Sequence, residues 1–179
     1  MLPGISTEQL RSRLNRMVAD GLLTRQRYRE VPPRVDYELT ERSRDLMPVL
    51  GALAHWGYEW TWSAPRQDED VNVGAIFRLA PGMLAPSDDV RGSVDLVVLD
   101  ADDERVFRLT AADGRVEITE RPEGPADAVV TGTPESWISA LGPDGGIGAL
   151  DVSGERELAE ELLAGFTAAA ATRADQRAA

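Results

Sequence analysis

The stretch LLTRQRYREVPPRVDYELT, residues 22–40, most narrows what the N-terminal part of the chain can become. Pro32 and Pro33 each lack a backbone N–H and hold φ fixed, so neither a helix interior nor a central strand can run through them. Before them Arg25, Arg27 and Arg29 alternate with other side chains. After them Val35, Tyr37 and Leu39 alternate with polar ones. Alternation on both sides of a turn predicts a two-stranded hairpin with an arginine-bearing tip.

A helix is expected just before this hairpin. In TEQLRSRLNRMVAD, residues 7–20, Leu10, Leu14, Met17 and Val18 fall at i, i+4, i+7 and i+8, one face of a helix, with Ser6 as N-cap and Gly21 as the stop. Gln9, Ser12, Arg13, Asn15 and Arg16 lie on the opposite face and its flanks, and such side chains hydrogen-bond base edges and phosphates. A helix followed at once by a basic hairpin is the layout of a recognition helix and a wing, with Arg25, Arg27, Arg29 and Arg34 as the wing residues that reach the DNA backbone or minor groove. Thr40 then caps a second helix, ERSRDLMPVLGALAHWG, with Leu46, Val49, Leu50, Leu53 and Ala54 as its apolar set. Pro48 predicts a kink or restart inside it, and so short a module offers that stripe little core, which makes a partner subunit its natural cover.

Charge separates this module from the rest. Residues 1–63 hold nine arginines against eight acids, whereas residues 64–179 hold ten against twenty-three in a chain of net charge -12. Two units with different partners are expected, the near-neutral one being the surface suited to a polyanion.

LPGIS, L-x-x-x-L, DGLLTR, YxEVPPRVxYELT and LxPVLxALxxWG, in that order from Leu2 to Gly57, resemble the recognition helix, wing and following helix of HxlR-type winged-helix transcription regulators. Ser43 stands where that pattern would have glycine. The resemblance implies a homodimer that binds double-stranded operator DNA, with Gln9, Ser12, Arg13 and Arg16 offered for base or backbone contact. It spans about the last two thirds of such a domain, so the winged helix is expected to be N-terminally incomplete, without the helices that precede the recognition helix.

Trp56, Tyr58, Trp60 and Trp62 bunch at the end of the second helix and are expected to pack at a domain or subunit junction. APRQDED marks the break. Beyond it, VGAIFRL, SVDLVVL, RVFRLT, RVEIT and DAVVTG suggest short strands, with ADGR as a tight turn, and their period-2 alternation predicts a mostly antiparallel sheet with one covered face. Two helices are expected to cover it: PESWISAL, capped by Thr133 and opened by Pro134, and ERELAEELLAGF, with Leu158, Leu162, Leu163 and Phe166 inward and a last strand, ALDVSG, ahead of it. Glu155, Glu157, Glu160 and Glu161 then form a solvated face.

DGRVEI, ADAVVTGTPESWISAL, the glycine-rich loop and LDVSGERELAEELLAGF resemble the C-terminal portion of sterol-carrier-protein-like (SCP2-type) domains, over roughly residues 75–168. That resemblance implies helices layered on a sheet around an apolar tunnel for lipids or other hydrophobic ligands, with Phe77, Leu96, Phe107, Trp137, Leu141, Leu162 and Phe166 as its wall. For any one of these residues, filling a solid core is the better-supported alternative.

Several chemistries are excluded or disfavoured. There is no cysteine, hence no disulfide, thiolate metal site or cysteine nucleophile. The single histidine, His55, lies in an apolar helical pattern beside Trp56, so neither a metal site nor a catalytic triad is expected. GGIG at 145–148 lacks the lysine end of a phosphate loop, and the acids at 68–70 and 102–104 read as solvated turns. No apolar run approaches a membrane span, and no leader pattern opens the chain.

The expectation is therefore an α+β protein: a partial winged helix-turn-helix (1–63), a linker (64–71), a sterol-carrier-like α/β domain with a mostly antiparallel sheet (72–170) and a disordered tail (171–179). Its expected function is a cytoplasmic, dimeric, DNA-binding regulator with a hydrophobic effector, not an enzyme, needing no cofactor or metal. The alternative is a stand-alone lipid or hydrophobic-metabolite binder whose DNA module is a relic.

Overall fold

The structure is a computed structural model describing residues 5–28, 34–61, 63, 65–66, 69, 71–100, 103–142 and 145–177, with backbone alone for 167–177. It divides into two compact units, Met1–Met47 and Pro48–Ala179.

In the first unit, α1 (Thr7–Ala19) starts at a complete capping box. Ser6 Oγ accepts from the Gln9 N–H at 3.2 Å and Gln9 Oε1 accepts from the Ser6 N–H at 3.1 Å, which satisfies two of the helix's unpaired donors. Gly21, at φ +71°, turns the chain out of the helix. Strands β1 (Leu23–Tyr28) and β2 (Arg34–Leu39) form the antiparallel hairpin, in register from Leu23 opposite Leu39 to Tyr28 opposite Arg34. Its tip, with Pro32 and Pro33, lies outside the described residues. A single turn of helix follows, α2 (Glu41–Arg44), capped by Thr40, and the chain restarts as α3 (Met47–Thr61) with Pro48 in its first turn, where a missing N–H costs nothing.

The second unit is a five-stranded sheet in the order β5-β4-β3-β6-β7. The strands are β3 (Gly92–Asp100), β4 (Asp103–Ala112), β5 (Arg115–Glu120), β6 (Ala128–Gly132) and β7 (Asp151–Gly154). The β3–β6 pair is parallel and the other three pairs are antiparallel. Asp113 and Gly114 both have positive φ, 51° and 69°, so the ADGR turn between β4 and β5 has the twist a two-residue hairpin needs. Helices α4 (Val73–Phe77), α5 (Ala80–Met83), α6 (Pro134–Ala140) and α7 (Arg156–Arg177) accompany the sheet; α7 runs on as helix to Arg177, inside the segment expected to be a disordered tail. The core gathers alternate residues of the strands, among them Val94, Leu96, Val98, Phe107, Leu109 and Val130, with Trp137 from α6 and Leu162 and Phe166 from α7.

One expectation is corrected. VGAIFRL is not a strand: Asn72 caps it by accepting from the Ala75 N–H at 3.2 Å, and it forms α4. Val73, Ile76, Phe77 and Ala80 fall at i, i+3, i+4 and i+7, a helical spacing that outweighs the β-branched and aromatic content. Val73, Phe77 and Ala80 are fully buried.

Across β3 and β4, Arg108 makes a two-pronged pair with Asp95, at 2.7 and 2.8 Å, and donates to the carbonyls of Glu123 and Gly124 at 2.9 and 2.7 Å. Asp127 accepts from the Ser93 N–H at 2.7 Å and from its hydroxyl at 2.9 Å. Together these bonds fix the crossing from β5 into β6 against β3.

Candidate functional site

The polar face of α1 stands open. Ser12, Arg13 and Arg16 are exposed, and Arg16 makes an i,i+4 pair with Asp20 at 3.7 Å that is too solvated to hold it. Gln9 is also exposed, but its Oε1 belongs to the capping box, so at most its amide N–H₂ is left to address DNA. The apolar side of the helix is only partly covered: α1 has no buried residue, Leu10 and Met17 are exposed, and Leu14 and Val18 are half-buried.

The wing's arginines divide between two faces. Strand alternation and the register put Arg25 and Arg27 on one face with Val35, Tyr37 and Leu39, and Arg34 on the other with Tyr28 and Asp36. Arg25 lies over the Tyr37 ring at 5.9 Å and Arg34 over the Tyr28 ring at 5.7 Å. Arg34 also pairs with Asp36 at 2.9 Å. Arg29 lies outside the described residues.

Helix α1 and the wing are tied to each other by α2. Thr40 Oγ1 donates to the Gly21 carbonyl at 2.8 Å, Ser43 Oγ donates to the Leu22 carbonyl at 2.6 Å, and Arg42 donates to the Asp20 carbonyl at 3.1 Å. Ser43, the departure from the expected glycine, is buried and anchors the turn between recognition helix and wing.

Along α3, Val49, Leu53, Trp56 and Trp60 form a continuous exposed stripe at i, i+4, i+7 and i+11, with Val49 and Leu53 each 62 % exposed. The opposite side is close-packed: a Cβ added at Gly51 would fall on the backbone carbonyl of Gly82 in α5.

All seven residues expected to wall a tunnel are buried in one cluster. The Phe77 ring meets Trp137 at 4.8 Å, Phe107 at 5.5 Å and Phe166 at 6.5 Å, so these four form an aromatic core. Among the clefts that open beside it are two of small-molecule size. One, of about 340 Å³, lies under the glycine-rich loop, where Gly145–Gly148 face Trp137, Leu141 and Leu163. The other, of about 290 Å³, lies between α3 (Ala54, Gly57, Tyr58, Thr61) and residues that include Met83 and Phe166. Of the seven, Trp137 and Leu141 border the first and Leu141 and Phe166 the second. Phe77, Leu96, Phe107 and Leu162 border neither. His55 Nε2 is buried without a hydrogen-bond partner. Among the described residues no cluster of His, Asp and Glu could hold a metal ion, and no helix is long and apolar enough to cross a membrane.

A capped helix, a basic hairpin and a short clamp helix define a winged helix-turn-helix segment. Residues 1–64 match the family model described as HxlR-like helix-turn-helix. A relative in Synechocystis sp., named an uncharacterized HTH-type transcriptional regulator, is 46 % identical over 59 residues, 33 % of this chain and 44 % of its own length. The chain thus spans about half the length of the curated relatives it matches. Among solved structures, the redox regulator HypR in its reduced form is 39 % identical over 31 % of this chain and 55 % of its own, with a TM-score of 0.30. The sterol carrier protein domain 2 of Helicoverpa armigera is 17 % identical over 61 % of this chain and 96 % of its own, with a TM-score of 0.44.

Proposed function

We propose that the protein is a cytoplasmic, dimeric transcription regulator in which α1 and the wing bind double-stranded DNA and the C-terminal domain binds a hydrophobic effector. The observation that carries this reading is the capped α1 with Ser12, Arg13 and Arg16 open to solvent, joined through the α2 clamp to a wing that bears Arg25 and Arg27. In this arrangement Ser12, Arg13, Arg16 and the Gln9 amide address the major groove. Arg25, Arg27, Arg29 and Arg34 supply the backbone or minor-groove contacts that set the register.

The stripe Val49, Leu53, Trp56 and Trp60 supports dimerisation, since a contiguous apolar surface at helical spacing calls for a partner and a second copy presents a self-complementary one. The domains run as 1–63, 64–71 and 72–170, with a tail from 171. The protein acts by binding and not by catalysis. Binding-site selection from random duplexes tests this reading: enrichment of a two-fold-symmetric sequence is expected, and no enrichment over a scrambled pool would sink it.

A second reading has its own support. Because α1 buries none of its residues, the chain can instead be a hydrophobic-ligand binder whose first unit does not engage DNA. Duplex binding separates the two.

A further inference from the structure

We propose that the cleft of about 290 Å³ inside the second unit, between α3 and residues of α4, α5 and α7, is a ligand site for a compact, neutral, ring-bearing molecule that carries one hydrogen-bond donor. The assignment deepens the effector reading and rests on it for its regulatory meaning. The aromatic core is filled by Phe77 and the three rings it meets, Phe107, Trp137 and Phe166. A ligand must therefore enter beside that core.

The ligand's class follows from the lining. Among the described residues that line it none is charged, so a charged ligand would lose water without gaining a partner there. The rings of Tyr58 and Phe166 and the thioether of Met83 favour a flat, polarizable guest. Thr61 Oγ1 already donates its hydrogen to the Gly57 carbonyl at 2.7 Å, which leaves its lone pairs to accept. That oxygen accordingly suits a phenol, amine or amide N–H on the ligand. The volume sits at the low end of the roughly 300–1,000 Å³ typical of small-molecule sites, which favours a molecule of two linked rings over a long acyl chain.

Four of the lining residues lie on α3, within the segment that the helix-turn-helix match includes. The ligand would touch the helix that follows the wing and α2 in the chain, and a ligand acts on a conformational equilibrium only through such differential contact.

The test is fluorescence titration of the full chain with N-phenyl-1-naphthylamine, a neutral probe whose two aromatic ring systems, phenyl and naphthyl, are joined through one N–H. Saturable one-to-one binding is expected, weakened by roughly tenfold or more in Ala54→Leu and in Gly57→Leu, whose side chains would occupy the cleft. A Cβ at Gly57 would meet nothing closer than Thr61 Oγ1 at 3.6 Å, so this variant should keep its fold if Ala54→Leu does not. Ala164→Leu, at the other cleft, should bind the probe as the wild type does. Absence of saturable binding, or unchanged affinity in both α3 variants, would overturn the assignment. Duplex binding is measured on the same samples: wild-type chain that takes the probe but no DNA would contradict the regulator reading and leave the cleft assignment standing.

Discussion

Gly51→Ala is the substitution for which propensity and packing predict opposite signs. In an exposed helix interior, alanine for glycine stabilises by about 1 kcal/mol. At Gly51 the new Cβ would fall on the Gly82 carbonyl, and close to its carbonyl carbon, and these are backbone atoms that no rotamer change can move aside. Either α3 lifts from α5 or the backbone of α5 shifts. Overpacking of this kind costs typically about 1–3 kcal/mol, with a backbone clash at the upper end, so a net loss of up to about 2 kcal/mol remains after the propensity gain. Gly57→Ala, on the same helix, has only Thr61 Oγ1 at 3.6 Å and should show the propensity gain alone. At roughly 2–4 °C per kcal/mol for a chain of this size, the two variants should melt on opposite sides of the wild type. Differential scanning calorimetry, with urea unfolding as a second readout, decides it. A Gly51→Ala protein as stable as the wild type, or more so, would refute the close packing of α3 on α5.

Trp137→Phe removes the buried bond from Trp137 Nε1–H to the Val97 carbonyl, 2.9 Å long, and should cost about 1–3 kcal/mol in urea unfolding; an unchanged midpoint would mean that the bond contributes nothing. Asp127 is held below the ordinary carboxylate range, first by the Ser93 N–H and then by the Ser93 hydroxyl. A depressed folded-state pKa gives stability that is present above the unfolded value and lost as pH falls through the folded one. Asp127→Asn should therefore show a shallower loss of stability below about pH 4 than the wild type; parallel acid titration curves would contradict this. Arg27→Ala should lower the slope of log affinity against log salt for duplex DNA by about one, equally for all sequences.

Much of this architecture was legible because it rests on local chemistry. Ser6 announces a helix N-cap, Gly21 a helix stop, Pro48 a kink or restart, Asp113-Gly114 a tight turn and Thr133-Pro134 a helix start, and each needs only neighbouring residues, whereas Gln9, expected to face DNA, proves to complete the Ser6 cap. The α4 segment misled because a short apolar run rich in Val, Ile and Phe satisfies strand composition while its spacing satisfies a helix, and only the Asn72 cap breaks the tie. The Arg108–Asp95 pair and the hold of Ser93 on Asp127 depend on strand register and on bonds between residues 13 and 34 apart, which no local pattern encodes. The candidate ligand wall was legible as buried residues but not as a cavity. Apolar periodicity says which side chains turn inward, whereas a cleft is the volume they leave unfilled, set by how α3, α5 and α7 pack.

Fluorescence anisotropy of a labelled duplex, titrated with the full chain from low to moderate salt, addresses the central claim most directly. If α1 and the wing bind DNA, affinity should fall linearly on log–log axes, by about a thousandfold or more between about 50 and about 200 mM salt if six or more phosphates are neutralised. No change in anisotropy at the lowest salt would contradict the regulator reading and leave the hydrophobic-ligand binder as the account of this chain.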